Sequence, residues 1–257
     1  MDLEEIYKLA FYFMIYSFLG WLMESIYKSI LQKKIVNSGF LYGPFCPIYG
    51  IGTLIMLLFL SYFSYSNLVL FAVSVVILSL WEYIVGFTLE KAFNIKYWDY
   101  SEKKFNLHGR ICLENSVIWG LLGVLFINQI HPYVKMLMET VPNDAIKYFV
   151  LIIGVYMIID MTFSIIKVTK INLKIKILQE ITTTIKEKTE ELKEVIGDSQ
   201  ASKKLKQTVD ELKDKQDELK LKLEKQTQRL RKAFPTMRLK NLGEAINKRI
   251  KEFRGEK

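Results

Sequence analysis

Residues 68–90 read LVLFAVSVVILSLWEYIVGFTLE, an apolar run that nevertheless carries Glu82 and Glu90. A membrane-spanning helix needs about 20 mostly apolar residues, and this run meets that length. Working outward from it, four further segments pass the same test, at about 6–29, 47–66, 111–130 and 147–166. Together they exclude a single soluble globule, and intrinsic disorder over this part of the chain. The expected class is all-α: a polytopic membrane helical bundle of five spans. The first segment is not expected to be a cleaved signal peptide. Its start, Met1-Asp2-Leu3-Glu4-Glu5, is acidic, no small-residue cleavage site follows, and the apolar run is too long.

The net charge of +9 hides two unlike halves. Residues 1–165 hold 11 Lys/Arg against 12 Asp/Glu, whereas 166–257 hold 25 against 15. Lys/Arg asymmetry sets orientation. The connections at 29–46 and 91–110 are basic, with Lys33, Lys34, Lys91, Lys96, Lys103, Lys104 and Arg110. The 64–67 connection has no charge, and 131–146 sets one Lys against Glu139 and Asp144. These features predict an inner-membrane protein with the N-terminus outside and the C-terminus cytoplasmic, with 131–146 as an outer interfacial segment. Two cysteines and two histidines exclude a disulfide scaffold and most zinc modules.

A transmembrane domain is thus expected over 1–168. Beyond it, Ile171, Leu178, Ile181, Ile185, Leu192 and Val195 follow a heptad pattern, interrupted by Lys174 and Lys188. Gly197-Asp198-Ser199 breaks it, and Leu205, Val209, Leu212, Leu219, Leu223 and Leu230 resume it, with Gln216 and Gln226 in core positions. Residues 169–234 read as a cytoplasmic antiparallel helical hairpin; an intermolecular coiled coil, pairing chains or binding a protein partner through 171–232, is the alternative. Pro235 ends that helix. Leu239, Leu242, Ile246, Ile250 and Phe253 then share one face of a basic amphipathic helix over 235–257, suited through 236–254 to an anionic inner leaflet. No aromatic platform or base-reading motif accompanies this charge, so nucleic acid is not the expected partner.

Intramembrane carboxylates are costly, by about 2.5–3.5 kcal/mol on insertion scales. Glu24, Glu82, Glu90, Glu114 and Asp160 all fall at or near the cytoplasmic side. Glu82, Gly86 and Glu90 share one helix face, as do Gly20 and Glu24. They read either as a cytoplasm-open, acid-lined cavity or as acids paired with loop Lys/Arg. Sliding the chain by 66 residues aligns Gly20-x-x-x-Glu24 with Gly86-x-x-x-Glu90, and Leu41-x-Gly43-x-x-Cys46 with Leu107-x-Gly109-x-x-Cys112. This predicts a repeated helical hairpin, over about 6–66 and 68–130, with the fifth span (147–166) outside it.

Two loops carry the special residues. The first holds Asn37, Gly43 and Cys46. The second holds Tyr97, Trp98, Asp99 and Tyr100, then Asn106, Gly109, Cys112 and Glu114. Tyr97, Trp98 and Tyr100 could serve as interfacial anchors. His108, Cys46, Cys112 and Glu114 could in principle bind metal, but small packing cysteines are the expected reading, with no metal or cofactor. The absence of a Walker A or Gly-x-Gly-x-x-Gly sequence means the chain itself is not expected to hydrolyse ATP or hold a dinucleotide.

The motifs Ser17-Phe18-Leu19-Gly20-Trp21-Leu22-x-Glu24, Asn37-x-Gly39-Phe40-Leu41-x-Gly43-Pro44-x-Cys46-Pro47-Ile48-Tyr49-Gly50-x-Gly52, Leu89-Glu90-x-x-Phe93, Trp98-Asp99-Tyr100-Ser101 and Asn106-x-x-Gly109-x-Ile111-Cys112-Leu113-x-x-Ser116-x-x-Trp119-Gly120 resemble the ABC-transporter permease family labelled type IV, or CmpB-like. The resemblance covers about 8–133 and leaves out the fifth span and the tail. Ser38 departs from it, where the family pattern often has Arg. It implies a small bacterial inner-membrane protein with a motif-rich cytoplasmic face, and supplies no substrate.

Three functions follow as expectations. The first is transport of a small solute or ion, with Glu24, Glu82 and Glu90 as site acids, Asn37, Asn106, Gly43 and Gly109 shaping the loops, and any ATP hydrolysed by a separate subunit. The second is a membrane-embedded enzyme acting on lipid or isoprenoid headgroups, with a Glu or Asp99 as general base. The third is a scaffold or sensor acting through the helical tail.

Overall fold

The computed structural model describes residues 2–194 and 199–239, and is helical apart from two short strand pairs. In chain order it forms α1 (Leu3–Gln32), α2 (Pro47–Phe59, extended by a 3₁₀ turn at Leu60–Phe63) and α3 (Asn67–Phe93). The strands β1 (Ile95–Lys96), β2 (Asn106–Leu107) and β3 (Ile111–Cys112) follow. Then come α4 (Leu113–Leu125), α5 (His131–Glu139), α6 (Asn143–Glu194), α7 (Ser199–Ala233) and β4 (Arg238–Leu239).

Four helices are long and apolar enough to cross a membrane: α1, α3, the Leu113–Glu139 stretch and α6. The expected span at 47–66 forms the shorter apolar helix Pro47–Phe63, about 25 Å long at 1.5 Å per residue against a hydrocarbon core of about 30 Å. It begins at Pro47 as expected, after the irregular chain at 37–46, and ends early, at Phe63. Pro47 then suits the first helical turn, where no N–H is needed. The third of these, Leu113–Glu139, differs from expectation at its far end. Instead of leaving the helix after 130, the chain passes through a π turn at Phe126–Ile130 and continues as α5. His131, expected in an interfacial segment, instead hydrogen-bonds the Tyr16 hydroxyl on α1, 3.0 Å away.

The caps follow sequence logic. Asp2 and Glu5 form a reciprocal capping box at the start of α1. Lys33 and Asn94 end α1 and α3 in the left-handed conformation, each with φ 50°. α1 packs on α2 and α6, and α3 packs on α4. Small residues set these contacts: Gly50 lies against Ser17 and Phe13, and Gly123 against Ser74. Large apolar side chains such as Val76, Ile84, Leu121, Ile152 and Ile158 face outward on the long helices, as a lipid-facing surface requires.

Two cores result. One, built on Tyr12, Tyr16, Leu41, Phe45, Phe126, Val150 and Met157, lies among the apolar helices. The other gathers Ile95 and Tyr97 after α3, Val168, Ile171, Ile175 and Leu178 on α6, Leu223 and Leu230 on α7, and Met237. α6 is continuous through both. α7 returns antiparallel along its second half, with Lys174 donating to Gln226 (2.9 Å) and Gln216 to Thr182 (2.8 Å). Of the polar residues that interrupt the heptads, Lys174, Gln216 and Gln226 therefore find partners across the seam, inside one chain, whereas Lys188 pairs with Glu191 on its own helix.

β4 pairs antiparallel with β1, Leu239 opposite Ile95 and Arg238 opposite Lys96. Where the amphipathic helix expected over 235–257 can be followed, the chain turns and forms this strand. Its continuation from 240, including the apolar face from Leu242 to Phe253, lies outside the described residues, as does the break at Gly197-Asp198.

Candidate functional site

The loops after α1 and α3 and the part of α6 from Asp160 onward lie at one end of the bundle. There each loop is organised by a carboxylate beside a glycine. In the first loop that carboxylate is Asp160, on α6. It accepts the Tyr42 amide at 3.0 Å and the Gly43 amide at 2.7 Å. A β-carbon at Gly43 would collide with the Tyr156 hydroxyl and Asp160 itself. Asn37 closes the same turn, donating to the Tyr42 carbonyl (2.7 Å) and accepting the Trp21 indole N–H (2.7 Å). Cys46 is buried at the start of α2. Its amide donates to Ser17 on α1 (2.9 Å), and its thiol reaches Glu24 at 3.8 Å. Burial beside the Glu24 carboxylate raises the thiol pKa well above the ordinary range, so Cys46 is a packing thiol, not a thiolate nucleophile.

The second loop centres on Asp99. It accepts from Lys96 (2.6 Å) and from the Ser101 hydroxyl and amide (2.5 and 3.1 Å). Gly109, at φ +64°, leaves room for this cluster, since a β-carbon there would meet Lys96, Ser101 and Asp99. Asn106 accepts the Gly109 amide at 3.0 Å and donates to the Ser101 and Lys103 carbonyls. Burial works against ionisation of Asp99, but the hydrogen bonds from Lys96 and Ser101 outweigh it and hold the carboxyl below its usual range. Cys112 is buried where β3 meets α4.

The acids divide into paired and unpaired. Glu24 meets Lys28 at 2.5 Å, and buried Glu90 meets Arg110 at 2.9 Å. Glu114 meets Lys103 at 2.8 Å on the exposed surface, away from the buried acids. Glu82 is different. Its carboxylate is buried in α3 and held by two neutral donors, the Trp119 indole (3.0 Å) and the Tyr100 hydroxyl (3.2 Å), with no cation paired to it among the described residues. Tyr49 on α2 lies near Glu24, and its ring lies 6.1 Å from that of Trp119. A polar layer therefore runs from Glu24 through Tyr49 and Trp119 to Glu82 and Tyr100, across the seam between the α1–α2 and α3–α4 hairpins. All four indole N–H groups bond at this end: Trp81 to the Ile48 carbonyl and Trp98 to the Arg110 carbonyl complete the set.

Tyr97 and Tyr100 are not lipid anchors. Tyr97 is buried in the second core, and Tyr100 is committed to Glu82. Cys46, Cys112, His108 and Glu114 do not converge: His108 bonds Tyr83, and among the described residues no group of three His, Cys, Asp or Glu side chains is placed to hold a metal ion. One surface cleft is lined by Leu3, Tyr7, Asn143 and Lys147, and an apolar groove beside Val75, Phe105 and Cys112 borders the second loop.

Sequence reasoning named Asp160 as a costly acid but did not place it in the site, and did not foresee Arg110, Trp119 or Arg229. Trp119-Gly120 stood in the motif and Asp160 was a lone intramembrane charge, so both carried a signal. Arg229 carried a fainter one, as one of two arginines in an α7 otherwise rich in lysine, since Arg suits forked binding to backbone acceptors better than Lys.

A family model described as "Putative ABC-transporter type IV" matches residues 11–165. The match reaches past the expected 133 and takes in the membrane part of α6, so Asp160 lies within it. No curated protein and no solved structure matches the chain.

Proposed function

We propose, from the premise that the chain belongs to the family described as "Putative ABC-transporter type IV", that it is a permease-like subunit moving a small solute or ion across the bacterial inner membrane. The observation that carries this is Glu82: a buried carboxylate at the seam of two helical hairpins, held by neutral donors. An ionisable group of that kind inside a membrane bundle belongs to a transport or proton path more often than to packing. Glu24 and Glu90, whose charges are already matched by Lys28 and Arg110, act as flanking acids whose partners can be exchanged.

In this reading the chain crosses the membrane five times, Pro47–Phe63 being the short span. The N-terminus lies outside, and the loops with the C-terminal hairpin lie in the cytoplasm, where the Lys/Arg excess falls. The two hairpins are the copies of an internal repeat, with Cys46 and Cys112 each buried at the start of a returning helix. Residues 236–254 add affinity for the anionic inner leaflet, and ATP hydrolysis, where used, comes from a separate subunit.

The test is a growth or transport assay in a strain lacking the native gene, at matched membrane levels. Wild type, Glu82→Gln and a truncation after 170 are compared. Loss of function in Glu82→Gln with function kept in the truncation supports transport through the polar layer. The opposite pattern removes it and leaves the scaffold reading, which the grip of α7 on the first loop favours.

A further inference from the structure

We infer that the C-terminal hairpin is a strap that ties the two loops to each other, so that neither loop moves without the other. α7 brings Arg229 against the first loop, where its guanidinium donates to the Phe40 and Leu41 carbonyls (2.7 Å each) and lies 4.1 Å over the Tyr42 ring. Asp160 holds the N–H groups of the same turn. The turn is therefore fixed from the membrane part of α6 through its donors and from α7 through its acceptors. The end of α7 is held by α1: Lys28 bonds the Ala233 carbonyl and lies 5.0 Å from the Phe234 ring centre, and Gln32 bonds the Lys232 carbonyl (3.0 Å).

A few residues further, the strap reaches the second loop. Thr236 accepts the Asp99 amide (3.2 Å), and β4 adds to β1. Arg238 Nε lies 2.6 Å from Asp99, an ion pair without an aligned hydrogen bond. Phe234 packs edge-on against Tyr97, which in turn meets Phe40 of the first loop. One short stretch, Arg229 to Leu239, thus fastens both loops, each by an arginine. The hydrogen bonds of Arg229 all go to the first loop, so any effect of its loss on the second must pass along the strap.

This goes beyond the transport reading and does not depend on it, because its readout is backbone exchange and not activity. The full-length protein in lipid nanodiscs is compared by amide hydrogen exchange as wild type, Arg229→Ala and Arg238→Ala. Exchange opens with the loss of local hydrogen bonding. Arg229→Ala is expected to speed exchange about tenfold at 39–43, about the loss of one net hydrogen bond, and also at 95–100, which Arg229 does not bond. Arg238→Ala is expected to speed both segments in turn, since coupling between sites is reciprocal. Unchanged protection of α1 and α3 marks a folded protein. Acceleration confined to the mutated side in both variants overturns the inference. If Arg229→Ala does not fold, Arg229→Lys, which keeps the charge but loses the fork, is read at the same two segments with the same criterion.

Discussion

Asp160 accepts the Gly43 amide at 2.7 Å, at a point where a single added methyl group would strike both that carboxylate and the Tyr156 hydroxyl. The first loop is thus seated on α6 through a contact only glycine permits. Asp160→Asn presents an NH₂ group to one of the two amides it now accepts and leaves that amide unpaired, at a cost of about 1–3 kcal/mol. Gly43→Ala forces the loop off its seat. Both variants are expected to unfold at lower temperature in detergent. Tyr156→Phe, by removing the hydroxyl, is expected to recover part of the Gly43→Ala loss. A Gly43→Ala protein as stable as wild type would contradict this packing.

The Glu90–Arg110 pair offers a second measurement. Its side chains are 6% and 14% exposed. Removing one member of such a pair strands a buried charge and costs about 3–5 kcal/mol, whereas replacing both by apolar residues can be neutral. Glu90→Leu and Arg110→Met are each expected to destabilise strongly, and the double variant by less than the sum of the two. Thermal unfolding of all four proteins closes the cycle, and additive losses would show the two side chains to be uncoupled.

What the sequence discloses here is what periodicity and composition encode. Apolar length gave the four long apolar helices, and Ile171, Leu178, Leu223 and Leu230 lie buried in the core that α6 and α7 share. Asn37, Gly43, Asn106 and Gly109 lie in the hydrogen-bonded turns of the two loops. What stayed hidden depends on contacts between residues far apart in the chain. Nothing local marks Arg229 as the partner of Phe40 and Leu41, or Arg238 as the strand partner of Lys96. The continuation of α4 past 130 depends on the π turn at Phe126–Ile130, which apolar length alone does not mark. Whether an intramembrane acid is matched is only in part a local matter. Glu24 pairs with Lys28, four residues on along α1, but the cation of Glu90, Arg110, comes from the following loop, and Glu82 has none among the described residues.

Asp99 predicts a pH dependence whose sign follows from its depressed pKa. A carboxyl that ionises more easily folded than unfolded stabilises the fold above its unfolded value of about 3.9, and that stability is lost as the pH falls through its lower, folded value. The second loop and its hold on β4 are therefore expected to persist at mildly acidic pH and to loosen only under strong acid. Asp99→Asn is expected to be less stable at neutral pH and to flatten the acid limb of an unfolding curve recorded from pH 7 downward. An unchanged acid limb would remove Asp99 from the set of groups that hold the fold.

Glu82 separates function from stability most cleanly. Its two neighbours, Trp119 and Tyr100, are donors, and a glutamine side chain keeps one carbonyl for them while turning its NH₂ against the other. Glu82→Gln is therefore expected to lose about 1–3 kcal/mol of stability yet remain folded at growth temperature, and to lose transport almost entirely, because the ionisable group is gone. Trp119→Phe removes one donor and keeps the carboxylate. It is expected to cost a similar amount of stability while retaining measurable transport. The comparison of the two at matched membrane levels decides the point: equal loss of function in both would mean that Glu82 serves only as the acceptor that joins the hairpins, whereas selective loss in Glu82→Gln assigns the work to its charge.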